Sequence, residues 1–464
     1  MDLDHLHGRL EDRRLVTGNG RYASDHKLAG ELQACFLRSD RAHAEIRAID
    51  ASAALAMPGV RAVLTGEDVK AAGFGFMPTQ LPVNGRDGKP FIKTNRPVLA
   101  QGRVRFVGEA VAIAVAETRA QAQDAAEAIV VDYHDLPAFS RPTDAIAAGA
   151  PQLHENVPGN RVIDLGTGDE AKTEATFASA PKVVSITLYN NRVVANPMEP
   201  RAAMGFYDAQ RDRYVLYTVT QGVNLPRGQL AGVLNVEDSK IDIIAKDVGG
   251  GFGVRSNLYP EYPALILASK KLGAPVKWVA SRSEVFLADE QARDVHTTAK
   301  AAVDANGRVL AFRFDFVTNL GAYCAPAGPF INSRVTACVN GVYDVPVLYA
   351  RNQLVLSNTA PLGAYRGAGR PIMSSALERL MTQIARELGK DEAEVRRINM
   401  IPKSKFPYTL VNGNVYDCGD PIGVMDAAMK AAQWTDAAAF AKRQAAAKAR
   451  GKLLGRGMAC AIES

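Results

Sequence analysis

Residues 247–256, DVGGGFGVRS, place four glycines in five positions around one bulky side chain, Phe252. Residues 358–371, NTAPLGAYRGAGRP, repeat the arrangement with Arg366 as the large residue and Pro371 opening a helical pattern. Glycine loses more chain entropy on folding than any other residue, so this density marks turns at positive φ or backbone brought close to something. Bare backbone presents its N–H groups to a flat or anionic ligand, and a helix opened by proline points its free N–H groups and dipole at anions. Taken alone, each stretch is equally compatible with an independent structural turn or a flexible loop.

The familiar phosphate cradles do not fit. The dinucleotide fingerprint needs glycines at first, third and sixth positions after a strand. Counting from Gly249 reaches Gly251 and then Val254, and counting from Gly367 reaches Gly369 and then Ile372. The Walker pattern closes on Gly-Lys-Ser/Thr, which neither stretch contains. Both failures argue against a nicotinamide-dependent dehydrogenase.

Composition narrows the class further. With 47% hydrophobic and 22% charged residues the chain reads as ordinary globular protein, and 464 residues correspond to roughly two to four domains. The net charge of +6 is spread over 55 basic and 49 acidic residues, too mild a balance for a nucleic-acid partner. Cys35, Cys324, Cys338, Cys418 and Cys460 are far apart, with no C-x-x-C pair and no histidine at zinc-finger spacing. This favours neither a disulfide framework nor an internal iron–sulfur or zinc site, and a cytoplasmic location is expected. A twin arginine at 13–14 has no apolar stretch behind it, and the longest apolar runs, such as AVAIAVA at 110–116, are strand length, so no membrane segment is expected.

These loops must be positioned by strands and helices, and periodicity supplies them. LQACFLRS and AVAIAVA read as strands, SAALAMPGVRAVLTG as helix, turn and strand, and TRAQAQDAAEAIVVDY as a helix entering a strand. This outlines a compact α+β unit over residues 1–145. Residues 146–160, within a stretch rich in Pro, Gly and polar residues, are expected to link it to a strand-rich segment. From 161 to 400 strands dominate, including KVVSITLY, RYVLYTVT, KIDIIAKDV, VLAFRFDFVT and RNQLVLSN. Helices are expected at EYPALILASKKLG and PIMSSALERLMTQIARELG, where apolar residues recur at helical spacing. Residues 401–464 read as helical after DCGDPIG and end on LLGRGMACAIES, which begins like a strand of a further, incomplete domain.

Four motifs together, RLVTGNGRYASD at 14–25, NPMEPRAA at 196–203 and the two glycine loops, resemble the molybdenum hydroxylases, the family of xanthine dehydrogenase and aldehyde oxidase. More narrowly, the chain resembles the molybdopterin-binding large subunit of their bacterial three-subunit members, with motifs in the family's order over essentially the whole chain. The resemblance implies an α/β hammerhead domain followed by mixed α+β domains that hold a molybdopterin cytosine dinucleotide. It assigns cofactor contacts to Gln221 of TVTQGVN, to Gly250, Gly251, Phe252 and Gly253, and to Arg366 and Gly367, with no direct metal ligand from the protein. It assigns substrate contacts to Arg334, Ser256 and Ala368.

Two departures from the family pattern bear on substrate. Purine-oxidising members place a glutamate after the first loop, where this chain has Ser256, with Glu261 further on. Carbon monoxide dehydrogenases of the family carry a copper-binding cysteine in the second loop, where AYRGAGR offers no thiolate. An aldehyde or an N-heteroaromatic compound is the expected substrate. The family's glutamate base and a later glycine–glutamine motif are expected in a carboxy-terminal part. Glu199, flanked by prolines, reads as a shaped turn, and Glu463 does not match the base motif. The resemblance therefore implies a second molybdopterin-binding polypeptide, an iron–sulfur subunit with [2Fe-2S] clusters and an FAD subunit, assembled as a dimer of heteromers. The alternative is a non-catalytic fragment that keeps the fold and subunit contacts.

Overall fold

The computed structural model describes residues 8–462, so Glu463 lies outside the described residues. Up to residue 452 strands and helices fall largely where periodicity puts them, and the architecture is mixed α+β. The Ala110–Ala116 strand is buried along its whole length. Its small side chains accept neighbours on both faces, one of them the Arg119–Glu127 helix, whose Ala122, Ala125 and Ala126 are buried and whose start is fixed by a Thr118–Gln121 capping box. The Val309–Asn319 strand alternates as a half-buried strand should: Phe312, Phe314 and Phe316 are buried, while Arg313 and Asp315 pair on the other face. Against the buried face lies the Arg370–Leu388 helix, which contributes Ile372, Met373, Leu377, Leu380, Met381 and Ile384.

A five-stranded sheet is ordered Arg161–Gly168, Leu348–Val355, Val309–Asn319, Val295–Val303, Lys182–Asn190. A seven-stranded sheet is ordered Ile241–Ile244, Arg213–Thr218, Ala202–Asp208, Val276–Val279, Leu32–Arg38, Ala110–Ala116, Val60–Thr65. Its strands come from both sides of residues 146–160. Leu32 pairs with Val276 and Gln33 with Lys277 in parallel register. Residues 146–160 are themselves fastened down. Leu153, His154, Val157 and Asn160 are buried, and Asn160 binds the main chain of Ala145, Pro151 and Leu153.

Residues 453–462 form no strand. The period-two pattern is still visible, because Met458, Cys460 and Ile462 pack on the core around the Arg370–Leu388 helix, and the Cys460 N–H donates to Glu378 at 2.9 Å. A ladder needs a second strand, and no described residue supplies one. Among the described residues no helix is long and apolar enough to cross a membrane.

A buried ionic cluster sits where the two parts of the seven-stranded sheet meet. Arg201, fully buried, donates to Glu261 at 2.5 and 3.1 Å and to Asp289 at 2.5 Å, and its guanidinium lies 4.0 Å from the Tyr259 ring centroid. Arg255 reaches the other Asp289 oxygen at 2.8 Å, and Arg38 donates to Glu261 at 2.9 Å and Glu284 at 3.0 Å. Burial alone would push the Glu261 carboxyl up, but Arg201 and Arg38 outweigh it and hold it well below the ordinary range. Next to this matched set is an unmatched group: buried Glu290 has no partner on either oxygen among the described residues. Burial pushes its carboxyl up to about 7, only partly offset by the field of Arg96 and Arg201.

Arg201→Met leaves two buried carboxylates under-compensated and is expected to lower the free energy of unfolding by about 3–5 kcal/mol in urea titrations; a loss below about 1 kcal/mol would contradict the ionic cluster's role. Glu290, raised from an ordinary 4.5 to about 7 in the fold, favours folding while protonated. Its contribution is complete below pH about 4.5 and is lost as pH rises through 7, a decline of about 3 kcal/mol. Glu290→Gln is expected to remove that decline, and an unchanged pH slope of stability would refute the assignment.

Candidate cofactor site at two glycine loops

The first loop leaves the Ile241–Ile244 strand and is anchored before its glycines begin. Asp247 accepts both terminal nitrogens of Arg14 at 2.6 Å and the Arg21 N–H at 2.7 Å, and the Arg14 hydrogen bond holds its carboxyl well below the usual range. Glu199 then accepts the Gly249 N–H at 2.7 Å and the Ala23 N–H at 3.1 Å, while its own N–H donates to the Gly249 carbonyl at 3.1 Å. Burial raises the Glu199 carboxyl despite those two donors. The carboxylate is thus a staple between the amino-terminal motif and the loop, as the shaped-turn reading expects. Arg282 closes the NPMEP turn by donating to the carbonyls of Pro197 and Met198.

Beyond the staple the loop turns left-handed. Gly250 has φ +113°, Phe252 φ +53° and Gly253 φ +97°. A phenylalanine at positive φ is costly, and such strain persists where surrounding contacts over-determine it. Those contacts come from two directions. Gln221 crosses the loop, its Oε1 accepting the Gly253 N–H at 2.7 Å and its N–H donating to the Arg255 carbonyl at 3.0 Å. A Cβ on Gly251 would stand 2.5 Å from Gln221 Cγ and Cδ, so glycine is what lets the amide lie there. From the other side the Arg366 N–H of the second loop donates to the Phe252 carbonyl at 3.0 Å, and a Cβ on Gly253 would meet the Ala364 carbonyl at 2.9 Å.

The second loop is equally contorted, with Gly367 at φ +87°, Ala368 at φ +46° and Gly369 at φ +90° before the helix starts at Arg370 with Pro371 in its first turn. Gly369 packs on the main chain of Arg334 and Val335, and the Arg334 guanidinium lies 5.7 Å from the Phe330 ring centroid. Ser256 is tied to the first loop through its N–H to the Gly253 carbonyl at 3.1 Å. Gln221 with the first glycine loop, the second loop, Ser256 and Arg334 are therefore brought into one neighbourhood. Gln221, Phe252 and Arg366 are exposed, Phe252 by 43%. The N–H groups of Gly250, Gly251, Phe252 and Gly367 donate to no protein acceptor among the described residues. A flat, anionic group with several acceptor atoms fits this surface of glycine backbone and a primary amide.

Sequence reasoning does not isolate the support behind the second loop. Gln291 exchanges main-chain hydrogen bonds with Pro361 and Gly363, and Arg293 donates to the carbonyls of Tyr365 and Arg366. The DEQARD segment that supplies them, 289–294, has no glycine, proline or histidine to draw attention to it.

Comparison with known proteins accords with this geometry. Residues 153–400 match the molybdopterin cofactor-binding domain, and residues 17–137 match the aldehyde oxidase and xanthine dehydrogenase a/b hammerhead domain. The chain is 36% identical to the nicotine 6-hydroxylase large subunit of Paenarthrobacter nicotinovorans over 98% of its own length and 55% of that protein's. It is 37% identical to the carbon monoxide dehydrogenase large chain of Hydrogenophaga pseudoflava, over 88% of its length and 52% of that chain's. The nicotinate dehydrogenase large molybdopterin subunit of Eubacterium barkeri is 30% identical over 84% of this chain and 87% of its own length. Among solved structures, quinoline 2-oxidoreductase from Pseudomonas putida 86 superposes with a TM-score of 0.87 at 36% identity, covering 96% of this chain and 55% of that one. The chain thus spans about half the length of the first two relatives and of this structure. Hammerhead segment, cofactor-binding segment and paired glycine loops lead to one assignment: the chain belongs to the xanthine dehydrogenase and aldehyde oxidase family of molybdenum hydroxylases, among its molybdopterin-binding large subunits.

Proposed function

We propose that this chain supplies one side of the cofactor pocket of a multi-subunit molybdenum hydroxylase, as a large subunit or one half of a split one, that oxidises an N-heteroaromatic compound or an aldehyde. The observation that carries the reading is the pair of hydrogen bonds joining Gln221 to Gly253 and Phe252 to Arg366, which brings one amide and two bare loops onto a common face. A molybdopterin cytosine dinucleotide bound there would supply transfer of a water-derived oxygen and uptake of two electrons. Gln221 keeps its side-chain NH₂ to donate, because its Oε1 is already engaged by Gly253. The N–H groups of Gly251, Phe252 and Gly367 are available to acceptor atoms of the cofactor, and the Phe252 ring excludes water beside them. Arg334, with Ser256 and Ala368, lines the substrate side, where a fixed guanidinium stabilises negative charge developing on a ring nitrogen.

The proton-accepting base is assigned outside this chain. Glu199 is consumed by the two N–H groups it staples, and Glu290 is buried under the second loop. A second molybdopterin-binding polypeptide carrying a glutamate, an iron–sulfur subunit with [2Fe-2S] clusters and an FAD subunit complete the proposed cytoplasmic complex, a dimer of heteromers. The Eubacterium barkeri relative, covered over 87% of its length, supports a naturally divided large subunit. Relatives named for nicotine, nicotinate and quinoline support an N-heteroaromatic substrate. Copper-dependent oxidation of carbon monoxide is not proposed, since the second loop holds no cysteine to bind a soft metal.

Complex purified from its native host through this chain is expected to contain molybdenum and to release CMP on acid hydrolysis, and to reduce a dye with one or more N-heterocycles or aldehydes. Absence of both metal and nucleotide, with no companion glutamate-bearing polypeptide, would leave the non-catalytic fragment as the reading. Arg334→Met is expected to lower kcat/KM by about 10- to 100-fold for heteroaromatic or anionic substrates while sparing neutral aldehydes, and an equal loss on all substrates would remove Arg334 from the substrate side.

A further inference from the structure

Arg293 and Asp294 are consecutive non-glycine residues in the left-handed region, at φ +70° and +59°. Each such residue costs on the order of 1–2 kcal/mol, so something must hold the pair there. Asp294 is the anchor. Buried, it accepts the Tyr189 hydroxyl at 2.5 Å, Arg192 Nε at 2.9 Å and Asn319 Nδ2 at 2.9 Å, and its carbonyl accepts the Asn319 N–H at 3.1 Å. With Asp294 fixed, the left-handed turn directs Arg293 at the second glycine loop. Its Nη2 donates to the Arg366 carbonyl at 2.7 Å, its Nη1 to the Tyr365 carbonyl at 3.3 Å, and the guanidinium sits 5.0 Å from the Tyr365 ring centroid. Among the described residues no carboxylate pairs with this half-buried cation, and burial lowers its affinity for its proton.

The two carbonyls that Arg293 takes belong to two successive peptide units, and what matters is the opposite end of each. Within a planar trans peptide, the C=O and N–H point in opposite directions, and charge on the carbonyl strengthens the N–H as a donor. The unit with the Tyr365 carbonyl ends in the Arg366 N–H, which donates to Phe252 and joins the two loops. The unit with the Arg366 carbonyl ends in the Gly367 N–H, one of the groups that donates to no protein acceptor among the described residues. A single uncompensated guanidinium thereby fixes the loop-to-loop bond and polarises a free donor beside it.

We infer that Arg293 is a positioning residue for the proposed cofactor pocket: it locks the second glycine loop onto the first and polarises the Gly367 N–H toward an anionic part of the cofactor. The inference rests on the proposed cofactor function, extending it to a residue outside both loops. Lysine keeps the charge but cannot fork across two carbonyls, and glutamine keeps a donor without the charge.

The test compares wild-type complex with complexes carrying Arg293→Lys and Arg293→Gln, by amide hydrogen exchange, molybdenum content and the rate of metal loss on dialysis. In Arg293→Gln, exchange at the Arg366 amide is expected to quicken at least tenfold and metal to be lost at least tenfold faster, while exchange in the Val309–Asn319 strand stays unchanged. Arg293→Lys is expected to recover part of the metal retention and little of the amide protection. A purely structural role would instead accelerate exchange in that strand as well. Variants matching wild type in both amide exchange and metal loss would overturn the inference, as would exchange that quickens throughout the fold in both. A wild-type complex without molybdenum would sink the cofactor reading and the polarising role with it, and the Arg366 exchange would still decide whether Arg293 locks the loops.

Discussion

The arrangement of this molecule hangs on the buried contact of Arg201 with Glu261 and Asp289. Removing three charges from water is unfavourable unless their geometry is close to ideal, so the cluster tolerates few arrangements of the elements that bear it. Arg38 brings the hammerhead strand to it, Glu261 the start of a helix, Asp289 the segment behind the second loop, and Arg255 the exit of the first loop. Apolar packing could have joined these elements with more slack. Charges that must each meet a partner restrict where the loop ends before any ligand is considered.

From that base the pocket is built mainly of backbone. Side chains can swing, whereas a peptide N–H held by its neighbours cannot, and a ligand met by such groups costs the protein little reorganisation. The requirement explains why each loop has left-handed residues that are not glycine. Phe252 is held at positive φ by the Gln221–Gly253 and Arg366–Phe252 bonds and Ala368 by its N–H donated to the Tyr365 carbonyl, and Arg293 with Asp294 repeats the device in the support. Strain in the loops and in their backing is met by the same kind of restraint, an acid taking two or more donors: half-buried Glu199 for the first loop and buried Asp294 for the second.

Much of this is legible in the sequence, and the unread parts have physical reasons. Alternation in VLAFRFDFVT gives both the strand and its buried face, because a period of two has one solution on a sheet. Glycine density marks both loops, since few backbones need so many unhindered positions. Which loop contacts which cannot be read, because the Arg366–Phe252 bond depends on tertiary placement and involves main-chain atoms that every residue possesses. Arg293 escapes for the same reason: its role is set by Asp294 and by two carbonyls far along the chain. The amino-terminal unit is legible as α+β, but not the parallel pairing of its central strand with Val276 and Lys277, since pairing between distant segments leaves no local periodicity.

That shared sheet also shapes how the chain reaches its fold. Leu32–Arg38 lies between Val276–Val279 and Ala110–Ala116, so during synthesis one edge of this strand waits until about half of the cofactor-binding segment, residues 153–400, has been made. Contacts of such long sequence separation are slow to form, and an exposed strand edge invites other chains meanwhile. The amino-terminal unit therefore keeps that edge open until residues 276–279 are in place, and the ladder across the sheet closes only then.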